Sequence, residues 1–540
     1  MRRAVSATGA VLLGTACSSP QVVTTSAPVP IQQSQTRTNV AGNWLAATQN
    51  STDGTYRRTY FTLMQDGDRI GGTIRTPNGV ITITESAWDS TGFTVTSVTR
   101  NGANERRTTY AGRLVGEELR MAMQRRTPPP AAGPPRPAGA PAGPPPGPPP
   151  ELVAHRVPAS EGAMPTRIAL PARHVVPDNG IARTPAMGWN SWNKFAGRVD
   201  DASVRAMADA MASNGMRAAG YAYINIDDTW EGDQRDAQGN ITTNRKFPDM
   251  KALADYVHGR GLKLGIYSSP GPTTCAGYIG SYGHEAQDAR TFAAWGIDYL
   301  KYDWCGASQL HGNDDMPALY QIMGDALLAT GRPILYSLCQ YGTLDVWKWG
   351  ADVGGNSWRT TGDISDNWRS MTGIGFRQGE IASYAKPGHF NDPDMLEIGN
   401  GGMTDTEYRT HMSLWSMLAS PLLAGNDLRT MTPAIHDILV NREVIAVDQD
   451  PLGRQAARAA GADSTHEVWT RSLANDAWAV AAFNRGADST RMTIDFGALG
   501  IDPRGKTVRD LWNHTNVQVT GSQYSAMIPS HGVLMVRIGK

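Results

Sequence analysis

The stretch Y-A-Y-I-N-I-D-D-T-W, Tyr221 to Trp230, alternates aromatic and aliphatic side chains as a strand does and then places two carboxylates, Asp227 and Asp228, side by side. Neighbouring strand residues point to opposite faces, and like charges this close repel unless a bound group or a cation satisfies them. At a rim where the chain turns outward, both can face the same space. Other apolar runs show the same habit. Trp192 follows M-G-W-N-S, Lys301 and Asp303 end Y-L-K-Y-D, Cys339 and Gln340 close P-I-L-Y-S-L-C-Q, Arg359 and Asp363 lie in W-R-T-T-G-D-I, and Asp392 and Asp394 lie in H-F-N-D-P-D-M-L. Lys301 stands two residues before Asp303, on the same strand face, where its charge favours the ionised carboxylate. Carboxylates and aromatic rings, with neither a phosphate loop nor metal-ligand spacing, suit a neutral sugar.

Positioning these groups together requires a scaffold. Eight apolar runs, M-G-W-N-S-W, Y-A-Y-I-N-I-D-D, L-K-L-G-I-Y-S, Y-L-K-Y-D-W, P-I-L-Y-S-L-C, N-S-W-R-T-T-G, H-F-N-D-P-D-M-L and P-L-L-A-G-N-D, are separated mostly by helical patterns. Two of the helices, S-V-R-A-M-A-D-A-M-A-S-N-G and M-P-A-L-Y-Q-I-M-G-D-A-L-L-A-T-G, are closed by glycine. This is the pattern of a (β/α)8 TIM barrel over residues 183–451, whose site lies at the C-terminal ends of its strands. From 452 to 540 the texture returns to strands, as in H-E-V-W-T-R-S-L and A-W-A-V-A-A-F-N, and predicts an antiparallel β-sandwich. Residues 41–126 alternate in short runs broken by D-G-D and P-N-G turns and predict a small N-terminal all-β domain, serving as a spacer or stabilising module or binding sugar or cell wall. The Pro-rich residues 127–150 form no core and read as an extended linker and domain boundary. Residues 18–40 read as a flexible tether.

With 50 basic and 50 acidic residues among 540, no net field draws nucleic acid, and none is expected as a partner. The first 17 residues, with two arginines, a short apolar stretch and small residues before Cys17, read as an export signal. They resemble a bacterial lipoprotein signal cut before a lipid-bearing Cys17, which would make the protein periplasmic or membrane-anchored. Gly14 stands where that pattern usually has Leu, so simple secretion is the alternative. No later run has the ~18 consecutive apolar residues of a membrane helix. Four cysteines, Cys17, Cys275, Cys305 and Cys339, permit one bridge but no disulfide scaffold. No metal and no cofactor are expected, since no histidine is spaced with cysteine or carboxylate as metal ligands are.

The segments T-P-A-M-G-W-N-S-W-N, Y-I-N-I-D-D, Y-L-K-Y-D-W-C, W-R-T-T-G-D-I, N-D-P-D-M-L-E-I-G-N-G-G-M and A-S-P-L-L-A-G-N-D-L-R resemble glycoside hydrolase family 27, the melibiase or α-galactosidase family, in order and spacing from about residue 183 to 540. The resemblance implies removal of terminal α-linked D-galactose from oligosaccharides or polysaccharides. Asp303 would be the nucleophile. Asp363 would be the general acid/base, protonated to assist the leaving group, a state that the negative charge of Asp303 nearby favours. Retaining enzymes hold the two carboxyls roughly 5 to 5.5 Å apart and react through a covalent glycosyl intermediate.

By the same resemblance Trp192, Asp227, Asp228, Lys301, Cys339, Gln340, Arg359 and Asp394 surround the sugar, with Asp228 taking the axial 4-hydroxyl and the 6-hydroxyl. Relatives acting as β-L-arabinopyranosidases carry a longer Glu at the position of Asp228. Cys275 and Cys305 match a family disulfide. Many relatives have a second bridge, from I-D-D-C-W to a cysteine after N-S-W-N; here Thr229 and the cysteine-free K-F-A-G-R replace both ends, leaving Cys339 a free thiol expected to line the pocket. Gln340-Tyr341 stands where α-galactosidases commonly have Glu-Trp and N-acetylgalactosaminidases have smaller residues. A long polar Gln340 favours a free 2-hydroxyl. The alternatives are β-L-arabinopyranosidase, α-N-acetylgalactosaminidase, an isomaltodextran-cleaving relative, or a carbohydrate-binding pseudoenzyme.

Overall fold

Each of the eight apolar runs contains one parallel strand. In chain order these are Met187–Asn190, Tyr223–Asn225, Lys263–Ser268, Tyr299–Asp303, Leu335–Cys339, Ser357–Arg359, Phe390–Asp392 and Leu422–Ala424, and they form one eight-stranded sheet in a computed structural model of the chain. The first strand pairs with both the second and the eighth. A parallel bridge between Leu396 and Ala424 closes the ring next to the seventh strand. The structure describes residues 38–77, 79–101, 104–124, 150–161, 163–461 and 465–539. The signal segment with Cys17, the tether up to residue 37 and the Pro-rich stretch 125–149 lie outside the described residues.

Helices cover the barrel by the pattern their sequences carry. In the helix Asp201–Ser213, Val204, Met207, Ala208 and Met211 recur at helical spacing and are buried. Its start is fixed by a capping box between Asp200 and Ser203, and Gly215 follows its end with φ +94°. No helix among the described residues is long and apolar enough to cross a membrane.

The C-terminal strands form a six-stranded and a two-stranded antiparallel sheet around Val480, Ile494, Phe496 and Val536. This sandwich is fastened to two barrel helices, Trp368–Gly375 and Asp405–Met417: His531 stacks on Trp368 with ring centroids 4.2 Å apart and bonds Glu407, and Trp512 Nε1 donates to Ser413 Oγ. From Val40 on, the described residues form one compact unit.

The N-terminal all-β region is a nine-stranded antiparallel sheet around Trp44, Phe61, Phe93, Tyr110 and Leu119. Its ninth strand, Leu152–Arg156, lies beyond the Pro-rich stretch and pairs with both Gly42–Gln49 and Glu118–Gln124. The expected limits 41–126 therefore omit a central strand, and the described residues on both sides of the Pro-rich stretch belong to one sheet, where a boundary between domains was expected. The physical reason is register: Ala154 is buried between Ala46 and Leu119 and completes the core. Residues 163–186 then run along the barrel without regular structure, held by Ile168 N to the Tyr282 hydroxyl and His174 N to Gln321 Oε1.

Candidate active site

A cavity of about 790 Å³ opens at the C-terminal ends of the barrel strands. Its wall brings together Trp192, Asp227, Asp228, Lys301, Asp303, Arg359, Asp363 and Asp394, and also Cys275. Residues from six strand ends, far apart in sequence, thus converge because the barrel turns every strand the same way.

The carboxylate doublet is reconciled locally. The second strand ends at Asn225, before the doublet, so strict alternation no longer holds and both side chains reach the cavity. Asp227 Oδ2 accepts from Lys301 Nζ at 2.8 Å and from Asn190 Nδ2 at 2.9 Å. Asp228 accepts from the backbone N–H of Ala276 on Oδ2 and of Thr229 on Oδ1, each at 2.7 Å. Burial, partly offset by the Ala276 N–H, pushes the Asp228 carboxyl up to about 7.

Asp303 lies at the end of the fourth strand, 5% exposed. Tyr267 donates to its Oδ2 at 3.0 Å and Tyr341 to its Oδ1 at 2.8 Å. Burial moves its carboxyl above the usual range, opposed by the Lys301 charge and the two hydroxyls. The Lys301 charge favours the ionised form of Asp303 through its field, as expected, while its ammonium makes its hydrogen bond to Asp227. Arg359, buried, reaches two carboxylates: Asp394 at 2.9 Å and Asp363 at 3.0 Å. The Asp363 side chain is 72% exposed at the rim, whereas that of Asp394 is 4% exposed.

Two expected wall residues are elsewhere. Cys339 is a buried free thiol 3.6 Å from Arg359 Nη1, and Gln340 is fully buried; neither borders the cavity. The cause is the backbone at Tyr341, whose φ of +61° turns the chain so that its ring, and not the Gln340 amide, faces the opening. Neither polar atom of the Gln340 amide finds a hydrogen-bond partner.

Sequence reasoning missed Tyr341 and Tyr267, and on the outer side Asn193, Lys194, Asp366, Glu397 and Asn400. Tyr267 had a signal, its place in the C-terminal half of the third strand. Asp366, Glu397 and Asn400 sit in loops and Asn193 and Lys194 in the four-residue helix Trp192–Phe195, where no period marks them.

Cys275 and Cys305 are joined, with Cα atoms 4.9 Å apart, and the Cys275 sulfur lies 3.8 Å from Asp303 Oδ2. With Asp303 they form the one compact group of metal-ligand types among the described residues, but the sulfurs are bonded to each other and offer no thiolate. Gly271 passes so close to the backbone of Cys305 and Ala307 that a side chain there would collide with both. Where relatives carry a second bridge, Lys246 Nζ donates to Gly197 O and to Thr229 Oγ1, each at 2.9 Å, tying the same two segments by polar bonds.

Several buried carboxyls share the upward displacement of Asp228: Glu285 and Glu397 to about 7 and Asp448 to about 8, each chiefly through burial. Such groups bind a proton in the folded state at a pH where the unfolded chain has lost it, so their contribution to stability falls as pH rises from the usual carboxylate range through the folded values. The melting temperature should accordingly be lower at about pH 8 than at about pH 5.5, which calorimetry on the ligand-free protein would check.

A closed (β/α)8 barrel with clustered carboxylates and aromatics in a cavity at its strand ends defines a glycosidase-type protein. The family description "Alpha galactosidase A" matches residues 184–450, and "Alpha galactosidase C-terminal beta sandwich domain" matches residues 463–538. The α-galactosidase of Cyamopsis tetragonoloba is 48% identical over 368 residues, covering 67% of this chain and 88% of that protein. The solved α-galactosidase I of Mortierella vinacea superposes with a TM-score of 0.63 at 36% identity, over 67% of this chain and 98% of its own. A Bacteroides fragilis structure described as a candidate α-galactosidase/melibiase covers 92% of each chain, with a TM-score of 0.63 and 32% identity. This chain belongs to the α-galactosidase family, glycoside hydrolase family 27.

Proposed function

We propose that this protein is a retaining α-galactosidase that removes terminal α-linked D-galactose from oligosaccharides or polysaccharides by double displacement. Asp303 attacks the anomeric carbon as the aglycone leaves, forming a galactosyl ester. Asp363 gives its proton to the glycosidic oxygen and then takes one from the water that hydrolyses the ester. The observation that carries this reading is the contrast between the two carboxyls. Asp303 is buried and gripped on both oxygens by tyrosyl hydroxyls, whereas Asp363 stands exposed at the rim where the aglycone and water arrive. Trp192 offers an apolar face to the ring, and Asp227, Asp228, Lys301, Arg359 and Asp394 supply charged partners for hydroxyls. A panel of nitrophenyl glycosides tests the assignment. The α-galactoside should be the best substrate, and preference for the β-L-arabinopyranoside or the α-N-acetylgalactosaminide would defeat it.

Asp228 is the residue we assign to the 4- and 6-hydroxyls. Hydrogen bonds to a charged group are worth roughly 1.5 to 3 kcal/mol, so Asp228→Ala should cost at least about tenfold in kcat/KM on α-galactosides. Asp228→Glu should move the ratio of rates toward arabinopyranosides, because the longer side chain fills the space of the 6-hydroxymethyl group. An unchanged ratio would remove Asp228 from that role.

We also propose export, with Cys17 carrying a lipid that tethers the protein to a membrane. The support is the N-terminal sequence. Cys17→Ser should release the protein from membrane fractions of its native host, and identical fractionation of both forms would argue against the anchor.

A further inference from the structure

The loop from Pro272 to Ile279 stands between the cavity and the N-terminal sheet and is held from both sides. Toward the cavity, Cys275 is bonded to Cys305 and the Ala276 N–H donates to Asp228 Oδ2 at 2.7 Å. Toward the sheet, the Ala276 carbonyl accepts from Arg57 Nη2 at 3.2 Å, the Tyr278 hydroxyl donates to Asp53 Oδ2, and Thr273 Oγ1 donates to Pro77 O at 3.0 Å. One residue, Ala276, therefore has its N–H on a sugar-site carboxylate and its C=O on an arginine of the N-terminal sheet.

The sheet side of this clamp is itself rigid. Asp53 is 3% exposed and also accepts from Thr55 N at 3.0 Å, Thr55 Oγ1 at 2.6 Å and Asn50 Nδ2 at 2.6 Å, so its carboxylate is fixed within its own turn. That turn is seated on the loop after the second barrel strand: Tyr56 N and Arg58 Nη1 both donate to Asp233 at 2.9 Å, and Arg245 donates to the carbonyls of Ser51 and Thr52. A spacer would need none of these bonds to a catalytic loop.

We propose that the N-terminal sheet is a structural part of the sugar site, with Arg57 and Asp53 as positioning residues that hold the 272–279 loop and thereby set the Ala276 N–H against Asp228. The chemistry is indirect. The sheet fixes the donor that keeps the Asp228 carboxylate aimed into the cavity, and so acts on binding of the galactose ring. This rests on the reading of Asp228 as a ligand of galactose hydroxyls.

The test uses Arg57→Ala and Tyr278→Phe in the full chain. Each should raise KM for a nitrophenyl α-galactoside about three- to tenfold with kcat held within about twofold, the mark of lost uniform binding. In an Asp228→Ala background the same substitutions should have no further effect on KM, because their action passes through that carboxylate. Arg57 is exposed, so its variant should melt close to the parent, separating positioning from general destabilisation. Amide hydrogen exchange of residues 272–279 should be faster in both variants, whatever the substrate proves to be. Unchanged KM, effects that multiply with Asp228→Ala, or unaltered exchange would overturn the proposal. A parent enzyme inactive on every α-galactoside would instead defeat the reading of Asp228, and the exchange comparison would still decide whether the sheet holds the loop.

Discussion

Asp303→Asn is expected to abolish hydrolysis while leaving the protein folded. The amide has nearly the shape of the carboxylate: its oxygen can still accept from one of the two tyrosyl hydroxyls and its NH2 can donate to the oxygen of the other, but it is too weak a nucleophile to displace an aglycone. Loss of the covalent path should cost several powers of ten in kcat, each about 1.4 kcal/mol of barrier. The fold should tolerate the change for a reason visible in the site. Lys301 is paired with Asp227, so removing the charge at Asp303 strands no cation. Burial already disfavours the ionised form of Asp303, so a neutral amide at that place removes a cost. Turnover of a nitrophenyl α-galactoside, measured beside a melting curve, checks both halves. Near-normal turnover by the folded variant would take Asp303 out of the nucleophile's role.

Asp363→Asn should give the second-largest loss, and an unequal one. A substrate with a poor leaving group, such as an alkyl galactoside or a galactosyl sugar, needs the proton and should be slowed about 10²- to 10⁴-fold, whereas a dinitrophenyl galactoside, which leaves unassisted, should be slowed far less in its first step. The site permits this role without stranding a buried charge. Arg359 is shared between Asp363 and Asp394, so Asp363 can release the guanidinium and turn to the glycosidic oxygen while Asp394 keeps it paired. NMR of the first product formed by the parent enzyme should show a retained anomeric configuration. Inversion, or equal slowing on both kinds of substrate by the variant, would contradict the assignment.

The residues that do the chemistry were legible because they follow strands. A period of two over four to six residues marks a strand without reference to anything distant, and the barrel topology then puts each strand's last residues on one face. Asp227, Asp228, Lys301, Asp303 and Arg359 could be picked out on that ground, and resemblance of the surrounding segments supplied their roles. Loops carry no such period. Asp366, Glu397 and Asn400, which widen the cavity on its outer side, lie in such loops, and Asn193 lies in a helix of four residues, too short to show a period.

By itself, the sequence determined the eight strands, the amphipathic helices with their caps, the all-β texture at both ends and the set of charged residues at strand ends, since each depends on side chains within a few positions. The tertiary structure alone decided who pairs with whom. It gave the Lys301 ammonium to Asp227, turned Tyr341 over Asp303 in place of Gln340, and brought Leu152–Arg156 back across the Pro-rich stretch into the N-terminal sheet. It also set Arg57 on Ala276, a bond across 219 residues of chain. Such pairings depend on where the closed sheet places loops in space, and a hydrogen bond reaches only about 3 Å, so local pattern can name the groups but cannot say which of them meet.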